Sequence, residues 1–270
     1  MILVTAAQGT VGREVVRALA ARETALRAAD RQTLDFADAR TFDTALAGCD
    51  AVFLLRPPAI SDVKRTLNVF IQRARAAGVR RFVFLSVAGA DKNKLVPHHK
   101  VERELMQGPR DWTILRPGFF AQNFETAYAE DIQRDARIYV PAGNGLVTFV
   151  DVRDLAEVAA AALTDDQHAG QAYTLTGPEP VSFATAADLL SRELGRPIRY
   201  VPASILGYAR HLRGRGLPLT QIAVQTILHA GLRFGQAAQV DPTLGTLLGR
   251  PARTLRDYLH DRRDVFAERA

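Results

Sequence analysis

The chain carries a single cysteine, Cys49, in 270 residues. One thiol closes no disulfide within the chain and builds no cysteine zinc site, and six scattered histidines offer no ligand spacing, so no metal is expected. Long apolar runs are missing too: none reaches the roughly 20 residues that span a bilayer, and no signal-type segment precedes the first apolar stretch. A cytoplasmic protein with no membrane partner is therefore expected. Low-complexity tracts are absent, and 47% hydrophobic with 24% charged residues is the composition of a globular chain. Its length suits one large α/β unit, or a main domain with a smaller lobe. Acidic residues fall short of basic ones, 29 against 35. The excess is largely arginine on expected helix faces and in the tail from Arg250 to Arg269. That pattern belongs to a solvated surface rather than a nucleic-acid contact, and a net charge of +6 favours an anionic cofactor.

What is present begins at once. Ile2-Leu3-Val4-Thr5 reads as a buried strand, Ala6-Ala7-Gln8-Gly9-Thr10-Val11-Gly12 as a glycine-bearing turn, and Arg13 to Leu19 as a helix. A strand that runs through such a turn into a helix gathers unpaired amide N–H groups where a pyrophosphate binds. Gly9 lets the backbone approach a diphosphate, and Gly12 lets the helix pack closely on the strand. Ala6 stands where the G-x-x-G-x-x-G form of this turn has its first glycine, and a methyl there is cheap only at negative φ.

Further apolar runs at 51–55, 81–86 and 112–115 alternate with amphipathic segments at 12–22, 63–77 and 100–106. This alternation predicts an α/β fold: a Rossmann-type, doubly wound parallel sheet covered by helices on both faces. Gly78-Val79-Arg80-Arg81 fits a helix-to-strand connection. Between Arg31 and Asp35 only three residues intervene, far fewer than a parallel crossover needs. Either 24–29 or 33–36 is a full strand, but not both, so a shortened sheet edge after the second strand is expected, with no helix between the two segments. From Phe119 the pattern changes to short strands and isolated helices. Residues 172–175 and 199–201 read as strands, Gly143-Asn144-Gly145 and Gly177-Pro178-Glu179-Pro180 as turns, and Ser182 as the N-cap of a helix that Gly195 ends. Asp151-Val152-Arg153-Asp154 caps and charges the first turn of a helix through Leu163, and a looser helical region spans 205–230. The division predicted is a dinucleotide-binding domain over 1–150 and, over 151–270, a smaller α+β substrate lobe with part of the chain returning to the main domain. The lobe is expected at the carboxyl ends of the strands, where open α/β sheets bind ligands.

In this order and spacing, several fragments resemble the NmrA-like atypical short-chain dehydrogenase/reductases over nearly the whole chain. They are the Thr5–Gly12 turn, Leu34-Asp35-Phe36-Ala37-Asp38, the stretch from Ala45 to Pro58, Phe84-Leu85-Ser86 and Val96-Pro97-His98-His99-Lys100-Val101-Glu102. Leu115-Arg116-Pro117-Gly118-Phe119-Phe120-Ala121-Gln122-Asn123, Phe149 to Asp154 and Tyr173 to Pro178 complete the set. The family includes quinone-reductase-like and azoreductase-like proteins and redox-sensing regulators. The resemblance implies an NAD(P) cofactor whose diphosphate lies on Gly9, Thr10, Val11 and Gly12 beside Thr5. Asp35 would border the adenine, and Leu55-Arg56-Pro57 would lie along the adenine-ribose side. Ser86 would face the nicotinamide, Lys100 would reach its ribose, and Pro117, Gly118, Phe119 and Phe120 would wall its pocket. The sequence departs from the family at Ala6 and in the short Arg31–Asp35 connection. Asp30 favours NAD through a ribose 2′-hydroxyl, whereas Arg31 favours NADP through a 2′-phosphate. The resemblance tips the expectation to NADP, with NAD as the alternative.

Ordinary short-chain dehydrogenases place a proton-donating tyrosine four residues before the lysine; here that position is Val96. The Tyr-x-x-x-Lys mechanism is thereby excluded, while hydride transfer, which the cofactor performs, is not. His98 and His99 are the imidazoles beside Lys100, and His99 is the candidate proton donor near neutral pH. Ser86 is the candidate hydrogen-bonding group for a substrate, and Tyr128 and Tyr139 receive no role. The resemblance implies an NAD(P)H-dependent oxidoreductase acting on a small electron-poor acceptor, with catalytic candidates Lys100, Ser86 and His99. The alternative is a non-catalytic NAD(P)-binding redox sensor that works through a protein partner. A small-molecule substrate is the expected partner in the first case, and a homodimer is left open.

Overall fold

The computed structural model of the protein describes residues 1–268. The strands are β1 Ile2–Val4, β2 Leu26–Ala28, β3 Ala51–Leu55, β4 Arg81–Leu85, β5 Trp112–Pro117, β6 Phe119–Phe120, β7 Arg137–Val140, β8 Leu146–Val147, β9 Phe149–Val150, β10 Gln171–Leu175, β11 Val181–Ser182 and β12 Arg199–Pro202. The α-helices used below are α1 Thr10–Ala20, α2 Phe42–Leu46, α3 Leu67–Ala76, α4 Pro97–Gln107, α5 Ala129–Asp135, α6 Val152–Thr164, α7 Phe183–Leu194, α8 Ile205–Gly214 and α9 Leu219–Leu232.

Two compact units emerge. The first contains residues Met1–Pro117, Val152–Leu175 and Thr243–Arg250. Among the described residues its six strands form one parallel sheet in the order β10-β5-β4-β3-β1-β2. Strand residues alternate between faces, and Leu3, Val52, Leu54, Phe82 and Phe84 join one buried cluster with Leu67, Phe70 and Ile71 of α3 and Val101 and Leu105 of α4. Helix α6 packs on β3, β4 and β5, and α1 packs on α6. Burial on both sides explains why these strands read as unbroken apolar runs. The doubly wound parallel sheet expected from the sequence is the one observed.

The edge is short, as expected. Strand β2 pairs with β1 through Leu26, Arg27 and Ala28 only, and residues 33–36 form no strand. From β2 the chain turns at 31–33, passes the five-residue α2, and crosses to β3 on the other side of β1.

The second unit contains residues Gly118–Asp151, Thr176–Pro242 and the segment that starts at Pro251. Residues 118–150, grouped with the first domain in the sequence reading, thus fall in this unit. Its strands form two-stranded pairs, β6 with β9, β7 with β12 and β8 with β11, around a core that includes Phe124, Tyr128, Phe149, Phe183 and Tyr258. Helix α7 is capped as its sequence predicts: the Ser182 hydroxyl accepts from Thr185 N, and Gly195 closes the helix at φ 63°. A π-helical turn at Phe124–Tyr128 precedes α5.

Candidate active site

The site in the first unit starts where β1 ends. Thr5 is fully buried; its amide donates to Phe53 O (3.1 Å) and its hydroxyl accepts from Leu55 N (3.0 Å). These bonds fix the carboxyl ends of β1 and β3 to one another. The turn then closes through Gly9 N, which donates to Ala6 O at 2.9 Å. Gly9 is the N-cap of α1 and brings no side chain to cap it. Among the described residues the N–H groups of Thr10, Val11 and Gly12 find no protein acceptor. Three convergent donors at a helix start are a dinucleotide diphosphate's natural seat.

Gly12 is required by contact. A Cβ built there would lie 2.2 Å from Ala6 O and 2.9 Å from the Ala7 Cα, so only glycine lets the helix begin this close to the turn. Ala6 meets the costly side of that condition: its φ is +51°. The carbonyl of Ala6 must point where Gly9 N reaches it, and the left-handed backbone that achieves this costs an alanine about 1 kcal/mol. The turn keeps its geometry with a methyl in place.

Beside the turn lies a cavity of about 400 Å³, reached by Thr5, Ala6, Arg31 and Asp35 and walled by Leu34, Phe36, Pro57 and Ile60. An apolar slot next to three free amides suits an adenosine beside its diphosphate. Asp30 and Arg31, opposed in the sequence reading, differ in availability. One Asp30 carboxylate oxygen accepts from Gln32 N and Thr33 N, and the other from Gln8 Nε2 (3.0 Å). Hydrogen bonds from the Thr33 amide and then the Thr33 hydroxyl hold its pKa below the usual carboxylate value. Arg31 is exposed and has no carboxylate partner among the described residues. The aspartate is occupied in making the turn; the arginine is free to meet a phosphate. Asp35 likewise makes its own turn, accepting from Ala37 N at 2.9 Å.

Leu55 and Arg56 do not line the cavity. The Arg56 guanidinium folds back to donate to the carbonyls of Pro57 (3.0 Å) and Ile60 (2.6 Å), and so secures the loop that does line it. Its Nε donates to His98 Nε2 at 3.3 Å. Burial, and then the charge of Arg56, push the His98 pKa down to about 4, so this imidazole is neutral at physiological pH. His99 differs: its Nδ1 lies 2.8 Å from Ala90 O, which assigns the proton to that nitrogen and leaves Nε2 available. Lys100 is exposed on the first turns of α4 and has no carboxylate partner among the described residues.

Ser86 follows β4 and is buried. Its hydroxyl donates to Glu102 Oε1 at 2.5 Å, and the same carboxylate takes two bonds from Arg116, Nε at 3.1 Å and Nη2 at 2.7 Å. Burial opposes the charge on Arg116, but Glu102 and the more distant Asp91 outweigh it and raise its pKa. With its proton committed to Glu102, Ser86 keeps only lone pairs for any further partner. Pro117 ends β5 and accepts from Ala88 N (2.9 Å). Gly118 and Phe119 belong to the second unit, where Phe119 packs edge-on against Phe149 and His229. Tyr128 is buried there with its hydroxyl 2.6 Å from His229 Nε2.

The sequence reading did not assign Glu102, although it lies within the Val96–Glu102 fragment; a lone glutamate on a helix gives no sign of burial. The wall residues Leu34, Phe36 and Ile60 were also missed as site residues. The alternation Leu34, Phe36 around Asp35 was the available signal.

A family model described as NAD(P)H-binding matches residues 6–166. The chain is 35% identical to the NAD(P)H azoreductase of Xenophilus azovorans over 96% of each protein. Among solved structures it resembles the triphenylmethane reductase of Citrobacter sp. (TM-score 0.83, 21% identity, 97% of this chain and 99% of that one). It resembles an NADPH-dependent quinone oxidoreductase of Escherichia coli to the same degree (TM-score 0.83, 24% identity, 97% and 99%). A turn with three free amides, a glycine that no other residue can replace and a matching model over more than half its length together mean that the chain belongs to the NAD(P)H-binding family, among its NmrA-like reductases.

Proposed function

We propose that the protein is an NADPH-dependent reductase of small, planar, electron-poor acceptors, with quinones and azo compounds as the class. Residues Gly9 to Gly12 would hold the diphosphate, the cavity by Leu34 and Phe36 the adenine, and Arg31 the 2′-phosphate. The nicotinamide supplies hydride when bound. Lys100 would hold the adjoining ribose, as the family resemblance implies.

One observation carries the choice of acceptor. Where a hydroxyl acid would stand there is Val96, and the Ser86 hydroxyl already gives its proton to Glu102. A site without a hydroxyl acid is poorly equipped for carbonyl reduction, in which an alkoxide develops and must be protonated. Reduction of a quinone or azo bond makes a lesser demand, since its product draws its proton from water; in the tautomer that Ala90 O fixes, His99 Nε2 is an acceptor and has no proton to give. The named activities of the azoreductase and quinone oxidoreductase relatives support the same reading. They give none to the alternative of a redox-sensing regulator.

The test is NADPH consumption against a panel of quinones, azo dyes, aldehydes and ketones. Turnover of quinones or azo dyes, with aldehydes and ketones at least about a hundredfold slower, is expected, a hundredfold being the lower end of what general acid catalysis contributes. Tight NADPH binding without turnover of any acceptor overturns the proposal.

A further inference from the structure

From Leu194 to Val240 the sequence contains no aspartate or glutamate, and six arginines. This segment forms α8 and α9 of the second unit. Helix α9 has two apolar sides. Ile222, Thr226, His229 and Leu232 are buried, while Val224, Ile227 and Leu228 stand at helical spacing on an exposed side. Leu219 begins the same helix exposed, Phe234 follows it 82% exposed, and Leu206 on α8 is also 82% exposed. Isolated exposed apolar residues are ordinary; six on one helical hairpin mark an interaction surface.

Charge identifies the partner. Arg210 and Arg213 of α8 are exposed and have no carboxylate partner among the described residues, whereas Arg215 pairs with Glu130. The partner must therefore be apolar and anionic together. A second copy fails on charge, because it brings the same arginines against a segment with no acid to receive them. Leu206 and Phe234 project, as residues that enter a soft apolar layer do. Helices of this kind, apolar on one side with basic residues beside it, lie in the plane of a bilayer interface. No helix among the described residues is long and apolar enough to cross a membrane, so the contact is peripheral. We infer that the α8–α9 hairpin docks on anionic phospholipid surfaces, with Leu206, Ile227, Leu228 and Phe234 in the acyl boundary and Arg210 and Arg213 on the headgroups.

The experiment is co-sedimentation of the whole protein with vesicles of equal parts phosphatidylcholine and phosphatidylglycerol, and with phosphatidylcholine alone. Binding to the mixed vesicles, at least about tenfold stronger than to the neutral ones, is expected from two basic residues at the surface. Arg210→Ser and Arg213→Ser should each weaken it about fivefold, and Ile227→Ser with Leu228→Ser should abolish it. All four positions are exposed, and an unchanged melting curve checks that each variant is folded. Equal binding to both vesicles, no binding, or binding that survives the double serine variant overturns the inference. So does a concentration-dependent dimer in solution that the double variant dissociates, which would assign the face to self-association. A co-purifying protein released by the double variant, with no vesicle binding, would assign it to a protein partner and equally overturn it.

Discussion

Ser86 gives its hydroxyl proton to the Glu102 carboxylate across 2.5 Å, and that carboxylate is 2% exposed. Three donors from two side chains thus converge on one buried anion, which joins the end of β4, helix α4 and strand β5. Glu102→Ala would leave Arg116 with only the more distant Asp91 carboxylate, 3.8 Å away, and is expected to cost about 3 kcal/mol, the low end for breaking a buried pair. Ser86→Ala removes one bond to a charged acceptor that keeps its arginine, at about 1.5 to 3 kcal/mol. Because the Ser86 proton is committed, its loss should lower stability in urea unfolding while kcat for a quinone changes less than about tenfold. A kcat collapse with unchanged stability would instead mean that Ser86 donates to substrate.

The two small residues of the first turn behave oppositely. Ala6→Gly relieves a left-handed alanine, and the flexibility it adds to the unfolded chain returns part of that gain, leaving about 0.5 kcal/mol of stabilisation. NADPH affinity should stay within about twofold, since the carbonyl that Gly9 N reaches is already in place. Gly12→Ala drives a methyl to within 2.2 Å of Ala6 O, a backbone atom that cannot yield without moving the helix start. Calorimetric titration with NADPH should show binding lost or weakened at least about a hundredfold, the cost, on the proposed seating of the diphosphate, of moving several amides at about 1 kcal/mol or more each.

These turns show what the sequence could and could not convey. Buried parallel strands betray themselves as apolar runs, so β1, β3, β4 and β5 were legible to within a residue or two, and the three-residue gap after Arg31 announced the shortened sheet edge. Gly12 was legible because a glycine at a helix start has few reasons to exist. The φ of Ala6 was not, because an alanine gives no local sign of a backbone imposed by a carbonyl three residues from its partner. Arg56 was assigned to the adenosine side from position along the chain, yet its guanidinium turns back on the carbonyls of Pro57 and Ile60. Side-chain direction after a strand end depends on loop residues that have no periodicity. The bond from Gln8 Nε2 to Asp30, made across 22 residues, is tertiary, whereas those from Gln32 N and Thr33 N are a local aspartate turn.

Acid should destabilise the protein through two histidines, the half-buried His98 and the buried His229. Burial, with the Arg56 charge in the first case, lowers His98 to about 4, and burial lowers His229 to about 4 despite its bond to Gln225 O. The unfolded chain binds these protons at the ordinary value near 6.5 while the native protein refuses them, so stability is intact above about pH 6.5 and falls as pH drops towards 4. The loss is on the order of 3 kcal/mol per histidine over that window. His98→Gln can still accept from Arg56 and carries no titration, so its stability between pH 7 and 4.5 should decline less than that of the wild type. Equal declines in urea unfolding at the two pH values would remove His98 from the explanation.

On the proposed seating of the coenzyme, its preference turns on which of two neighbours is available. Asp30 spends its oxygens on Gln8, Gln32 and Thr33, while Arg31 stands exposed at the same cavity. Arg31→Gln removes the cation that a 2′-phosphate would meet and should raise the KM for NADPH about ten- to hundredfold, the worth of one or two charge-assisted hydrogen bonds. The KM for NADH should not move, because that coenzyme has a hydroxyl at the same place. Asp30→Ala acts through geometry: it releases the 31–33 turn and should weaken both coenzymes together. If Asp30→Ala instead weakened NADH alone, the aspartate would be a ribose ligand, and the assignment of the turn to structure and of Arg31 to selectivity would fail together.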